Sequence, residues 1–235
     1  MPDAHLIVFS RAPVAGATKT RLIPALGAEG ARDFHAACLL DLLDEVAAWR
    51  ADRARRGLGR VTLHACVWPP GSGGDFARAG VAWPPGTRLR DQQGADLGAR
   101  MERALAEALA EAPGAALLVG TDLPLLRARH LEAALAHLAE ADVVFGPSLD
   151  GGYHLVGLRR PQPGLFALPA WGGADVLARS LAAARRLGLR TACGDPLPDA
   201  DVPADLPRVL AHPLAGEPAA GGRALRLLRA RLGGG

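Results

Sequence analysis

Short apolar runs alternate along the chain with longer stretches in which apolar residues recur at helical spacing. The run from Leu6 to Phe9 is continuously apolar, and the runs at 115–120 and 142–146 have the same character. Strands without a polar face are typical of parallel sheets that helices cover on both sides. The pattern therefore predicts an α/β fold with right-handed β-α-β units and a mixed, mostly parallel sheet.

The predicted elements follow one another without an internal repeat or a convincing linker. Strands are predicted at 6–9, 61–67, 115–120, 142–146, 153–158 and 189–192, and helices at 30–49, 96–112, 128–140, 174–187 and within 222–232. The stretch between the strand at 61–67 and residue 93 is rich in Pro and Gly, and it is predicted to be a surface excursion with one short strand. At 235 residues and 49% apolar content, we expect one domain spanning 1–235.

Charge, hydropathy and cysteine usage exclude several classes of protein. The net charge is only +3 and no run of five or six like charges occurs, so we expect no nucleic-acid partner. No apolar run reaches the ~18 residues of a membrane span, and no basic segment opens a signal peptide. Cys38, Cys66 and Cys193 are widely separated, and we expect reduced, buried thiols in a cytoplasmic protein without membrane association.

The loop that leaves the first strand is basic. It carries Arg11, Lys19 and Arg21, and Pro13 and Gly16 break its regular structure. Gly16 lets the backbone approach a ligand closely, and the three cations can neutralise several phosphate oxygens. Because open α/β sheets bind ligands at the carboxyl ends of their strands, the loop predicts a polyphosphate ligand.

Lys19 is the only lysine among 27 Lys and Arg residues. Its retention indicates a need for a compact ammonium rather than a planar guanidinium, although a solvated lysine retained by chance is the alternative. A Walker A motif needs glycine directly before the lysine and five residues earlier, where this chain has Thr18 and Pro13. The spacing therefore argues against a P-loop kinase or GTPase.

Asp122 follows the predicted strand at 115–120, in Gly120-Thr121-Asp122-Leu123-Pro124. Its carboxylate is expected above the same sheet edge as the basic loop. Magnesium prefers one or two carboxylates together with substrate phosphates, so Asp122 is the first metal candidate. An N-cap of the following helix is the structural alternative.

Two further acidic segments could meet this edge. Asp150-Gly151-Gly152-Tyr153 joins two strands and is compatible with either a tight turn or a site that admits a sugar or acceptor. The segment Asp199–Leu206 is typical of a helix start, but it could also return a second carboxylate to a phosphate-bound ion.

These segments together resemble a known family. Its N-terminal signature is matched by Pro13, Gly16, Lys19, Thr20, Arg21 and Leu22, and its later blocks by Asp96–Met101, Gly120–Pro124, Asp150–Tyr153 and Asp199–Leu206. The chain resembles the bacterial glycosyltransferase-A-superfamily group of transferases, some associated with arsenosugar or radical-SAM gene clusters. Wider relatives are the 2-phospholactate guanylyltransferases and the molybdenum-cofactor nucleotidyltransferases.

The resemblance implies a Rossmann-like nucleotide-diphospho-sugar transferase fold that binds a nucleoside triphosphate or a nucleotide sugar with Mg²⁺ or Mn²⁺. It implies that Asp122 and Asp201 bind the metal, with catalytic roles for Lys19, Asp122 and Asp150. Contacts with nucleotide and substrate are expected from Arg11, Gly16, Thr20, Arg21, Thr121, Gly151, Gly152 and Tyr153. One departure is that the usual Thr-Pro-Glu after the late aspartate reads Val202-Pro203-Ala204.

We therefore expect a metal-dependent glycosyltransferase that uses a nucleotide-activated sugar and a small-molecule acceptor. The alternative is a nucleotidylyltransferase that moves a nucleoside monophosphate from a triphosphate to a phosphorylated acceptor and releases pyrophosphate. A hypothesis of another class, motivated by the altered late acidic segment, is a nucleotide-binding protein without catalysis.

Overall fold

The structure, a computed structural model, describes residues 3–219 and 221–232. The strands are β1 Ala4–Arg11, β2 Val61–Trp68, β3 Arg88–Asp91, β4 Ala115–Gly120, β5 Val143–Pro147, β6 Tyr153–Leu158 and β7 Thr191–Cys193. The helices are α1 Ile23–Arg55, α2 Gly73–Arg78, α3 Leu97–Glu111, α4 Ala128–His137, α5 Val176–Arg186, α6 Asp205–Ala211 and α7 Arg223–Leu232. Short 3₁₀ turns cover Thr20–Leu22 and Pro213–Gly216.

The seven strands form one sheet in the order β3-β2-β1-β4-β6-β5-β7. Strand β6 runs antiparallel to β4 and β5, and the other neighbouring pairs are parallel. The expected mixed, mostly parallel sheet is therefore confirmed. The strand order reverses between β1 and β4, and such a switch point leaves a crevice at the carboxyl ends of the strands.

Side chains of β1 alternate between two helical layers. Leu6 and Val8 pack in the core cluster that contains residues of α1 and α4, whereas Ile7 and Phe9 pack in the cluster that contains residues of α3 and α5. A third cluster joins the opposite side of α1 to α6 and α7. Burial on both faces explains why this strand is continuously apolar from Leu6 to Phe9.

Most predicted elements are present, with two differences. Helix α1 begins before the predicted residue 30, because Gly27 (φ 72°, ψ 167°) interrupts the helix without ending it. The excursion after β2 contains a short helix as well as the expected short strand β3. None of the described helices has the length and apolar character needed to cross a membrane.

The prediction of three buried thiols was wrong for one of them. Cys38 and Cys66 are free and buried, but Cys193 is free and exposed. Cys193 ends β7, which pairs on one side only because it lies at the edge of the sheet. An edge strand leaves part of its surface to solvent, which hydropathy alone does not indicate.

Candidate functional site

A cleft of about 440 Å³ opens at the carboxyl ends of the central strands. Its walls come from the ends of β1, β2 and β4, from the first turns of α3, and from the β5–β6 hairpin. Its volume lies within the range of small-molecule sites, and its place is the switch point of the sheet. It is the natural candidate for an active site.

Lys19 lies beside this cleft, between two carboxylates. Its Nζ is 2.8 Å from Oδ1 of Asp122 and 2.6 Å from Oδ1 of Asp201, and it donates to the carbonyl oxygen of Ala200 at 2.7 Å. The lysine side chain is 5% exposed, whereas the two carboxylates are 45% and 42% exposed. Three acceptors thus match the three N–H donors of the ammonium.

Lys19 and Asp122 stabilise each other's charge. Burial by itself lowers the pKa of Lys19, but the negative charges of Asp122 and Asp201 outweigh it and raise that pKa above its ordinary value. Desolvation opposes the ionisation of Asp122, yet the ammonium of Lys19 holds the pKa of this carboxyl well below its usual range. Lys19 and Asp122 are therefore both ionised at neutral pH.

The basic loop is shaped to direct the lysine inward. Lys19 has φ 50° and ψ 39°, a left-handed conformation that no other non-glycine residue of the described chain adopts. The Thr18 hydroxyl donates to the carbonyl of Ala12, and Gly16 also has a positive φ, of 77°. Unusual backbone conformations of this kind concentrate at functional sites.

The late acidic segment brings the second carboxylate to the site. The Ala200 amide donates to the carbonyl of Asp122 at 3.2 Å, which fixes this segment beside β4. Oδ2 of Asp205 accepts from the amides of Asp201 and Val202, at 3.0 and 2.8 Å. Asp205 therefore shapes the turn before α6, while Asp201 faces the cleft.

His35 was not among the predicted site residues. It is 2% exposed, its Nε2 donates to the carbonyl of Arg11 at 2.8 Å, and its Nδ1 lies 3.6 Å from Oδ1 of Asp122. It thus lies between the end of β1 and the central carboxylate. The available sequence signal was a lone histidine within the apolar positions of α1.

Cations line the side of the cleft formed by β1 and β2. Arg11 ends β1, and the Arg100 guanidinium stacks over the ring of Trp68 at 4.3 Å from its centroid. Burial and then the nearby positive charge of Arg11 lower the pKa of Arg100. Gln92 also lines this side and donates from Nε2 to the carbonyl of Cys66 at 3.0 Å. Sequence reasoning assigned no ligand-binding role to Arg100, Trp68 or Gln92.

Carboxylates line the opposite side, formed by the β5–β6 hairpin and the segment after β7. Among the described residues, no cation lies within ion-pair distance of Asp150 or Asp199. Burial, followed by the charges of Asp150 and Asp201, raises the pKa of Asp199 to about 6. Sequence reasoning placed Asp199 in the acidic segment without assigning it a role.

The segment Asp150–Tyr153 is both a turn and part of the cleft. Oδ1 of Asp150 accepts from the Gly152 amide at 2.8 Å, while Gly152 and Tyr153 also line the cleft. A side chain on Gly151, at φ 91°, would meet the carbonyl oxygen of Ala174 at 1.9 Å. Gly151 is therefore required by packing against the segment before α5.

Other residues predicted to contact ligands lie outside the cleft surface. Gly16, Thr20 and Arg21 are exposed in the basic loop and its 3₁₀ turn, and Thr121 is 4% exposed. In the part of the chain that the structure describes, none of these four lines the cleft. Their contacts with a nucleotide stay predictions.

The donor set at the centre of the cleft fits a hard divalent cation. Asp122 and Asp201 are half exposed, and each offers oxygen ligands on the solvent side of Lys19. Mg²⁺ is commonly bound by one or two carboxylates with water and substrate phosphates completing the shell. The chemistry of these ligands therefore agrees with the expected Mg²⁺ or Mn²⁺.

A separate group of potential ligands lies towards the amino-terminal ends of β1 and β2. Nδ1 of His5 is 3.0 Å from Nε2 of His64, and Nε2 of His5 is 3.2 Å from the carbonyl of Ala112. The nearby Glu111 carboxylate pairs with two arginines of β3. Hydrogen bonds and ion pairs account for this group, so it does not compete with Asp122 and Asp201 as a metal site.

Similar solved structures have the same fold. A candidate nucleotide-diphospho-sugar transferase from Desulfovibrio desulfuricans G20 is 27% identical, with a TM-score of 0.81 over 98% of this chain and 99% of that chain. For 4-diphosphocytidyl-2C-methyl-D-erythritol synthase from Anaerococcus prevotii DSM 20548 the TM-score is 0.54 at 8% identity, over 89% and 97%. For a CMP:2-keto-3-deoxy-manno-octonic acid synthetase complexed with CTP it is 0.50 at 13% identity, over 89% and 97%.

These similarities confirm the Rossmann-like nucleotide-diphospho-sugar transferase fold, and they agree with the expected transferase class. No curated protein sequence matches the chain. Residues 54–173, just over half of the chain, match the family described as "Uncharacterized protein conserved in bacteria (DUF2064)". The protein is therefore a member of the DUF2064 family.

Proposed function

We propose that the protein is a metal-dependent glycosyltransferase that moves a sugar from a nucleoside diphosphate to a hydroxyl of a neutral acceptor. The observation that carries this proposal is the separation of charge across the cleft. Cations lie over β1 and β2, and carboxylates without cationic partners lie over the β5–β6 hairpin. The similar fold of the candidate transferase from Desulfovibrio desulfuricans G20 supports it.

The cationic side is suited to the diphosphate of the donor. Arg11 and Arg100 can donate charge-assisted hydrogen bonds to phosphate oxygens, and the Trp68 ring beside them offers an apolar surface to a base. Asp122 and Asp201 lie between this side and the hairpin. These two carboxylates would hold a divalent cation, which would offset the negative charge of the diphosphate.

The carboxylate side is suited to the acceptor. Asp150 and Asp199 can accept hydrogen bonds from hydroxyl groups, and the aromatic surface of Tyr153 and Trp171 lies next to them. A phosphorylated acceptor would bring a second anion beside these carboxylates, and the resulting repulsion would oppose its binding. A hydroxyl-rich neutral compound meets no such penalty.

The reaction follows from this arrangement. An acceptor hydroxyl oxygen attacks the anomeric carbon of the sugar, and the bond from that carbon to the nucleoside diphosphate breaks. Asp150 takes the hydroxyl proton, and Arg11 and Arg100 stabilise the negative charge that grows on the leaving diphosphate. A divalent cation would supply further stabilisation of that leaving charge.

Nucleotidylyl transfer is the second candidate. The cations of Arg11 and Arg100 could equally bind a triphosphate, and the fold is shared with two cytidylyl-transferring synthases. In that reaction the leaving group is pyrophosphate. The resemblance of the sequence to the arsenosugar-associated transferases favours glycosyl transfer over this second candidate.

The test compares leaving groups. The protein is incubated with Mg²⁺ and a panel of nucleotide sugars or nucleoside triphosphates, each with neutral polyols or with sugar phosphates as acceptors. Release of nucleoside diphosphate that depends on a neutral acceptor supports glycosyl transfer. Release of pyrophosphate that depends on a sugar phosphate would overturn it in favour of nucleotidylyl transfer.

Ligand binding without turnover is measured in parallel as a shift in melting temperature. A ligand at about 100 times its Kd stabilises the folded state by about 2.7 kcal/mol. Metal-independent stabilisation by nucleotides, with no product from any acceptor, would favour the nucleotide-binding protein without catalysis.

A further inference from the structure

The present contacts of Lys19 leave its ammonium no free donor for a phosphate. All three of its N–H groups have acceptors within 2.8 Å: one oxygen each from Asp122, Asp201 and the Ala200 carbonyl. An ammonium has no fourth donor, so it can contact a phosphate only by giving up one of these partners. Its contact with the carboxylates and its predicted contact with a nucleotide are therefore alternatives.

The contact is built by the fold. The left-handed backbone of Lys19, at φ 50°, turns the side chain towards the carboxylates, and the hydrogen bond from the Ala200 amide to the Asp122 carbonyl holds the two acidic segments side by side. Without a cation between them, the two carboxylates would repel each other. The lysine thus offsets part of their negative charge.

We propose that Lys19 is the resident cation of this site, which holds Asp122 and Asp201 in place and excludes a free divalent ion until a nucleotide brings one. A metal ion on the same carboxylate oxygens would stand next to the ammonium, and the two positive charges would repel each other. Nucleotide phosphates remove this conflict, because they accept hydrogen bonds from the ammonium and also ligate the metal. The site then takes the metal as a metal–nucleotide complex, an inference that rests on the metal site of the proposed function.

The first experiment measures the affinity of nucleotide-free protein for Mn²⁺ by electron paramagnetic resonance. We expect Lys19→Met and Lys19→Gln to bind Mn²⁺ at least tenfold more tightly than the wild type. Arg186→Met removes an exposed positive charge elsewhere and is the matched control, with a change below twofold. Unchanged or weaker Mn²⁺ binding by a folded Lys19 variant would overturn the proposal.

A double variant separates this inference from the proposed function. Adding Asp122→Asn to Lys19→Met should abolish the gain in Mn²⁺ affinity. If the gain persists, the metal binds elsewhere and the metal assignment of the proposed function fails. If Asp122→Asn abolishes metal-dependent turnover while Lys19→Met shows no gain, the proposed function stands and the role of Lys19 does not.

The wild type gives a test that needs no variant, because the chain has one lysine. Protein labelled with [¹⁵N]lysine gives a single side-chain ammonium signal. We expect millimolar Mg²⁺ alone to leave this signal in place, and Mg²⁺ with a nucleoside diphosphate to shift it. A shift with Mg²⁺ alone, or no shift when the Mg²⁺–nucleotide complex is bound, would overturn the proposal.

Discussion

The two sides of the cleft differ in how their charges are compensated. Over β1 and β2, Arg100 stacks on Trp68 and Arg11 lies nearby, so two cations face the cleft. Over the hairpin, Asp150 and Asp199 face it with no cation at ion-pair distance among the described residues. Between the two sides, Lys19 forms ion pairs with both Asp122 and Asp201. The β1–β2 side of the cleft thus attracts anions, whereas the hairpin side repels them.

The largest effect is expected for Asp122, which lies between the two sides of the cleft. Asp122→Asn removes the central carboxylate charge and should lower kcat/KM by at least about a thousandfold, about 4 kcal/mol of transition-state stabilisation. Far-ultraviolet circular dichroism should show an intact fold. Asp195→Asn, at an exposed position, is the control with unchanged kinetics. Near-normal turnover by Asp122→Asn would refute the metal assignment.

On the carboxylate side, Asp150→Asn should lower kcat with a hydroxyl acceptor by about a hundredfold, because the amide cannot take a proton. Its Oδ1 can still accept the hydrogen bond from the Gly152 amide, so the turn is retained. Nucleotide affinity, measured by calorimetry, should not change. A parallel loss of nucleotide affinity would show that the two sides are not separate.

On the cationic side, Arg11→Ala should weaken binding of the nucleotide donor by about tenfold, since hydrogen bonds to charged groups contribute about 1.5–3 kcal/mol. Binding of a neutral acceptor should be unaffected. Arg21→Ala, in the same loop but away from the cleft surface, sharpens the comparison. An equal loss in Arg21→Ala would indicate that Arg21 also contacts the nucleotide, as the sequence resemblance implies.

The smallest effect concerns stability. The raised pKa of Asp199, about 6 against 3.8, means that the folded state binds more protons than the unfolded state between pH ~4 and ~6. The free energy of unfolding therefore falls as pH rises through this window. Asp199→Asn removes this loss and should be more stable by about 1 kcal/mol above pH 6, after allowance for partial exposure.

The measurement is chemical denaturation from pH 4 to 8 with a chelator present, so that no metal bridges the carboxylates. Wild type and Asp199→Asn should approach each other towards pH 4, because the carboxyl is then protonated in the folded state and begins to be protonated in the unfolded state as well. If the two curves of unfolding free energy against pH were parallel across the whole range, the pKa of Asp199 would not be raised by burial and the nearby carboxylates.

Local sequence patterns were sufficient for much of the secondary structure. The strand β4, the Asp96 N-cap that accepts from the Ala99 amide at 2.8 Å, and the hairpin turn at Asp150 follow from apolar runs, capping chemistry and turn preference. The start of α1 was misplaced, because Gly27, at φ 72°, kinks the helix without ending it, whereas glycine more often marks a helix end.

The fold class and the types of residue at the carboxyl edge of the sheet could be predicted from local patterns, because buried strands and the loops that follow them leave local signals. The partners of these residues became known from the packing of distant segments. Lys19 and Asp201 are 182 residues apart, and their contact depends on the path of the segment after β7. The positions of His35 beside Asp122 and of Arg100 over Trp68 likewise depend on contacts between distant segments. Such contacts depend on where whole elements pack, and no local pattern of residues encodes that.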